Sequence, residues 1–131
     1  MAVAQEHWAA KWIKYEGCLP HGAFQVGSHA IGRGRFEGGM HIGYVDQHHH
    51  RLIIGWGSRQ HELHEFEVLC GEHHQFKWHS CEGACRPQFF IPLKGGYEAD
   101  GKELYIAKAW HDNQERIGKA GQKLFVENMK C

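Results

Sequence analysis

Ile31–Val45 (IGRGRFEGGMHIGYV) can be laid over Ile106–Ala120 (IAKAWHDNQERIGKA) without a gap, and this internal match constrains the fold more than any other feature. At an offset of 75 positions, Ile31 meets Ile106, Arg33 meets Lys108, Ile42 meets Ile117 and Gly43 meets Gly118. Upstream, Trp12 followed by Gly17 has a counterpart in Trp78 followed by Gly83. A chain of 131 residues fits one compact unit or two half-size repeats sharing one core, and an internal repeat selects the second.

The local patterns are those of strands. Arg51–Trp56 (RLIIGW) is β-branched, aromatic and bounded by turn residues. His64–Leu69 (HEFEVL) alternates, with Phe66 and Val68 on one face, which is the period of a half-buried strand. Glu103–Ala109 and Lys123–Val126 read the same way. Residues 3–12 are compatible with a short helix or with a strand lead-in. Gly55, Gly57 and the Gly38-Gly39 pair supply turn or bulge positions. No Pro-, Ser- or charge-rich linker divides the chain. The expected architecture is therefore all-β: two pseudo-symmetric antiparallel β repeats packed as one compact unit. The divisions are an N-terminal segment (1–11), a first repeat (12–70), a connector (71–77) and a second repeat (78–131).

Composition removes several function classes. Lys plus Arg and Asp plus Glu balance at 15 each, so no standing field attracts nucleic acid or an anionic membrane. The apolar runs are too short to span a bilayer, and no membrane insertion is expected. The start, MAVAQEHWAAKW, carries no secretory signal, which suggests a cytosolic protein or one released without a signal peptide. Five irregularly spaced cysteines argue for reduced thiols rather than a disulfide framework. Thirteen histidines are the compositional oddity, readable as a solvated surface or as a reserve of positive charge below about pH 6.

Gly95–His111 (GGYEADGKELYIAKAWH), Ile117-Gly118-Lys119 and His64–Leu69, set in that repeat frame, resemble the DM-nine repeat proteins. That family includes the natterin-like proteins of fish and mannose-binding lectins of molluscs, and the resemblance covers roughly residues 12–126. It implies an all-β protein of two repeats that binds mannose and high-mannose glycans, commonly as a homodimer and without a cofactor. An innate immune role in recognising microbial surfaces follows by analogy. The two repeats are unequal. The first has Tyr44 where the second has Lys119, and lacks a counterpart of Glu98-Ala99-Asp100. It passes almost directly from Gln25–Ala30 into Ile31, while the second lacks the first's closing strand. A partner subunit could supply that strand.

A monosaccharide site needs fixed carboxylate acceptors, a cationic or amide donor and an apolar face for the ring. Glu98, Asp100, Glu115 and Lys119 supply the polar set, and the resemblance points to the acidic loop and the Gly-Lys. Other roles exist for each. Asp100-Gly101 is also a favoured turn, and Lys119 could protect an exposed strand edge, in which case replacing it would change folding by less than about 0.5 kcal/mol. Trp12, Trp56, Trp78 and Trp110 are expected in the core. The competing class is a zinc-binding structural or interaction module. His73, His74, His79, Cys81 and Cys85 fall within thirteen residues, but Cys81-x-x-x-Cys85 has no matching second pair. An enzyme is not expected. Glu98 or Asp100 with Glu115 could be imagined as a glycosidase pair, yet so small a chain offers no deep cleft.

Overall fold

In the computed structural model, residues 2–7, 10–72, 76–80, 91–111 and 113–120 are described. They form twelve strands. The first half contains β2 (Lys11–Lys14), β3 (Gln25–Val26), β4 (His29–Phe36), β5 (Gly39–Asp46), β6 (Arg51–Trp56), β7 (Arg59–Leu63) and β8 (Glu67–Cys70). The second contains β9 (Trp78–Ser80), β10 (Lys94–Tyr97), β11 (Glu103–His111) and β12 (Gln114–Ala120), together with β1 (Ala2–Ala4) from the start of the chain. All pairings are antiparallel and join in one strongly branched sheet.

The internal match reappears as register. In the β4–β5 hairpin Ile31 pairs with Tyr44, Arg33 with Ile42 and Phe36 with Gly39. In the β11–β12 hairpin Ile106 pairs with Lys119, Lys108 with Ile117 and His111 with Gln114, each shifted by the same 75 positions. The surroundings match too. β4 is flanked by β8 and β3, as β11 is by β1 and β10. Trp12 of β2 pairs with Leu69, and Trp78 of β9 pairs with Ala4. These pairings are compatible with two repeats sharing one core.

That core collects residues from both halves. Ile31, Ile42 and Phe24 pack in one buried cluster with Ile106, Leu104 and Leu93, and Trp12, Trp78 and Ile117 lie against it. Trp12 and Trp78 each carry a cation over the indole face: Arg33 at 4.3 Å and Lys108 at 4.5 Å. The other two tryptophans depart from expectation. Trp56 is 40% exposed and Trp110 63% exposed. Both precede a hairpin tip, where the chain runs past the packed layers; Trp56 stands just before the turn Gly57-Ser58. A second buried cluster, built around Tyr15, Val45, Leu52, Ile54, Phe66 and Val68, belongs to the first half.

Local chemistry accounts for the tips. Glu37-Gly38 and Gly57-Ser58 have positive φ at both positions, the requirement of a two-residue type I′ hairpin turn. Arg51–Trp56 forms a strand with its expected bounds, and Glu103–Ala109 lies inside β11. His64–Leu69 is corrected at its start: His64 and Glu65 form a bend, and the strand begins at Glu67. Residues 3–12 contain no helix among those described; they end β1 and begin β2. The strand expected at Lys123–Val126 lies outside the described residues.

The position next to β11 that β8 occupies beside β4 is filled by β1. Val3 pairs with Ala107 on one side and His79 on the other, matching Val68 opposite Gly32. A strand from the chain's own beginning thus takes the place for which a partner subunit was considered.

Candidate functional site

Two of the four expected residues, Lys119 and Glu98, lie within electrostatic reach of each other. Lys119 is the second-last residue of β12, and its half-buried side chain reaches across to β5, where Nζ donates to Nδ1 of His41 at 2.6 Å. His41 is 1% exposed, and its Nε2–H donates to the Phe36 carbonyl at 3.1 Å. A carbonyl can only accept, so this bond fixes the proton on Nε2 and leaves Nδ1 as an acceptor for the ammonium. Glu98, at the start of the turn after β10, completes the group. Its negative charge acts on both Lys119 and His41.

Burial dominates the electrostatics here. It holds the Lys119 pKa below the ordinary lysine value, and Glu98 opposes the shift. It also lowers the His41 pKa, reinforced by the Lys119 charge and opposed by Glu98 and the Phe36 bond. His41 is therefore neutral at pH 7. As pH falls below the ordinary histidine value of 6.5, the unfolded chain accepts this proton before the folded one does, so stability declines through that window.

Asp100 sits two residues beyond Glu98 on the same turn but is engaged locally. One oxygen accepts the Lys102 amide at 3.0 Å and the other lies 3.4 Å from the Lys102 ammonium. Its carboxylate is exposed, and the amide bond is the leading cause of its lowered pKa. The turn is closed by Glu98 N–H to the Lys102 carbonyl and Gly101 N–H to the Glu98 carbonyl, with Gly101 at φ 89°. Asp100 thus holds the turn that presents Glu98 and keeps free acceptor capacity toward solvent.

Glu115 lies elsewhere. It is on the same side of β12 as Lys119 but four positions away, roughly 13 Å along the strand. There it pairs with Lys108 at 3.0 Å, in a groove of about 350 Å³ with Trp78, Phe24 and Gln25. A second depression, of about 310 Å³, is lined by Arg33, Lys94, Tyr97 and Glu103 beside the acidic turn. Repeat-related Tyr44 has a different partner set from Lys119: its hydroxyl accepts from Gln60 at 3.2 Å, and its ring lies 4.8 Å from that of His29.

His41 was missed by sequence reasoning. A signal existed, because alternation in His41–Val45 places a polar side chain at an inward position of a strand. Its partner on β12 is 78 residues away and could be found only in three dimensions.

The acidic turn is positioned by a tight backbone seam. Tyr97 pairs with Met40, and a Cβ on Gly96 would meet the Met40 carbonyl oxygen at 1.9 Å. Gly96→Ala is expected to push β10 off β5, costing about 1–3 kcal/mol of stability and displacing Glu98 from Lys119. Gly55→Ala, where a Cβ meets nothing within 4 Å, is the control. Equal melting temperatures for the two variants would contradict the seam.

Of the zinc candidates, His73, His74, Cys81 and Cys85 lie outside the described residues. His79 is bonded through Nε2 to the Gln5 side chain at 2.8 Å. Among the described residues no group of three or more His, Cys, Asp or Glu could hold a metal ion. No helix among them is long and apolar enough to cross a membrane.

Residues 28–130 match the DM9 repeat, a span that takes in both hairpins and the whole Lys119 site. No curated protein and no solved structure matches the chain.

Proposed function

Because this chain belongs to the DM9 repeat family, we propose that it is a carbohydrate-binding lectin recognising mannose and high-mannose glycans through the Lys119–Glu98 site. The observation that carries this reading is a half-buried ammonium, held by a buried histidine, within the electrostatic reach of a carboxylate on the neighbouring turn. A sugar hydroxyl both donates and accepts, so a fixed cation beside a fixed acceptor reads its orientation. Charged partners make such bonds roughly twice as strong as neutral ones. Asp100, on the same turn, would add a second acceptor at the solvent rim. Glu115 and Lys108 would meet only a longer glycan, because their groove is a strand segment away.

Binding is non-covalent in this reading, with no turnover, cofactor or nucleic acid. Recognition of microbial surface glycans in innate immunity is part of the same proposal. Single-site affinity would be weak, and a homodimer would raise avidity for clustered mannose. Calorimetric titration with mannose tests the core of it. The expected stoichiometry is near one per chain, since Tyr44 stands where the first repeat would need its cation. A value of two would give Tyr44's repeat a site of its own, and a glycan array with no mannose signal would retire the lectin reading.

A further inference from the structure

We infer that His41 is the positioning residue of the Lys119 site, holding the ammonium toward the Glu98 turn at neutral pH and releasing it when protonated. The inference rests on the glycan-binding reading above and adds to it a residue and a means of regulation. Three observations carry it. The His41 ring is almost wholly removed from solvent. Its tautomer is set by the Phe36 carbonyl, so the nitrogen facing Lys119 is the basic one. The Lys119 ammonium lies 2.6 Å from that nitrogen, while burial shields the ring from direct contact with a bound sugar.

Lysine alone is a poor reader of hydroxyl geometry, because its long stem has many rotamers. Engaging one of its three N–H bonds with a buried, rigid acceptor fixes the direction of the other two. The geometry thus turns a flexible point charge into an oriented donor. Protonation of His41 removes the acceptor and sets a second positive charge against the ammonium at 2.6 Å. The cation must then leave, and the donors aimed at the sugar leave with it.

The groups facing His41 define how this titration runs. Lys119 comes from β12 and opposes protonation; Glu98 comes from the turn after β10 and favours it. β4 contributes the Phe36 carbonyl, and Gly34 lies directly opposite His41 in the register. From β7, the His61 ring lies tilted against the Phe36 ring at 4.5 Å, and the Phe36 ring in turn stands edge-on to His41 at 6.5 Å. β6 presents Leu52 and Ile54 in the buried cluster alongside.

Two variants and two readouts test the role. His41→Phe keeps the volume and removes the acceptor; affinity for a mannose-terminated glycan at pH 7 should fall about tenfold. His41→Asn offers an amide oxygen near the place of Nδ1 and cannot titrate. It should retain affinity at pH 7 to within about threefold, and lose the acid-dependent weakening expected of the wild type below the ordinary histidine value of 6.5. Without any glycan, the ¹³C shift of the Lys119 ε-methylene should follow the His41 titration in the wild type and not in His41→Asn. Wild-type affinity in folded His41→Phe, or an unchanged acid profile in His41→Asn, would overturn the positioning role while leaving the lectin reading in place. Failure of the wild type to bind at any pH would end the lectin reading, and this role with it.

Discussion

Val3→Asp is expected to lower the melting temperature by roughly 10–20 °C and to leave much of the chain unfolded under physiological conditions. Val3 is completely buried in a three-residue strand that pairs with β11 on one side and β9 on the other. Removing its apolar contacts costs about 1.5 kcal/mol. A carboxyl group at that place must be neutralised at pH 7 against an ordinary pKa of about 3.9, which adds roughly 4 kcal/mol. The total approaches the whole stability of a typical domain, about 5–15 kcal/mol. Val3→Ala, which removes apolar contacts without adding charge, should lose only about 1–2 kcal/mol. Equal melting temperatures for Val3→Asp and the wild type would contradict the structural role of this strand.

Why that strand escaped sequence reading is clear from its residues. Ala2–Ala4 is three residues of small apolar side chains, with no alternation long enough to reveal a period. Its structural role is set by the vacancy beside β11, which no local pattern encodes. The hairpins were legible for the opposite reason. Each carries a pairing register, and a repeat found by alignment transfers that register whole: Ile31 with Tyr44 becomes Ile106 with Lys119. The same logic paired Trp12 and Trp78 in packing roles, and in the structure both lie against the core, under Arg33 and Lys108. It could not distinguish them from Trp56 and Trp110, because aromatic residues before a turn carry the same composition signal whether or not anything covers them.

The candidate site divides in a similar way. Glu98 lies near enough to Lys119 for its charge to act on the ammonium, as two charged residues near the ends of neighbouring hairpin elements can. Asp100 takes the turn role considered for it, with one oxygen closing the turn, and its carboxylate remains exposed. Glu115 separates from Lys119 because four positions along an extended strand carry it well beyond the reach of one sugar ring. The alternative role considered for Lys119, that of an exposed edge residue, is corrected by its bond to a buried histidine.

That correction changes what replacing Lys119 should do. Lys119→Met keeps the apolar stem and removes the donor, and affinity for mannose glycans should fall roughly ten- to a hundredfold, equivalent to about 1.5–3 kcal/mol. Stability should fall as well, by about 1–3 kcal/mol, because Nδ1 of buried His41 loses its partner. A surface lysine would show no such second effect. The two losses can be separated with the double variant Lys119→Met/His41→Phe. Replacing both members of a buried polar pair by apolar groups of similar shape can be nearly neutral for folding. The double variant should therefore recover most of the melting temperature and none of the affinity. Recovery of stability alone would show that the pair is held for recognition at a cost the fold does not require. Wild-type glycan affinity in the stable double variant would place the site away from Lys119.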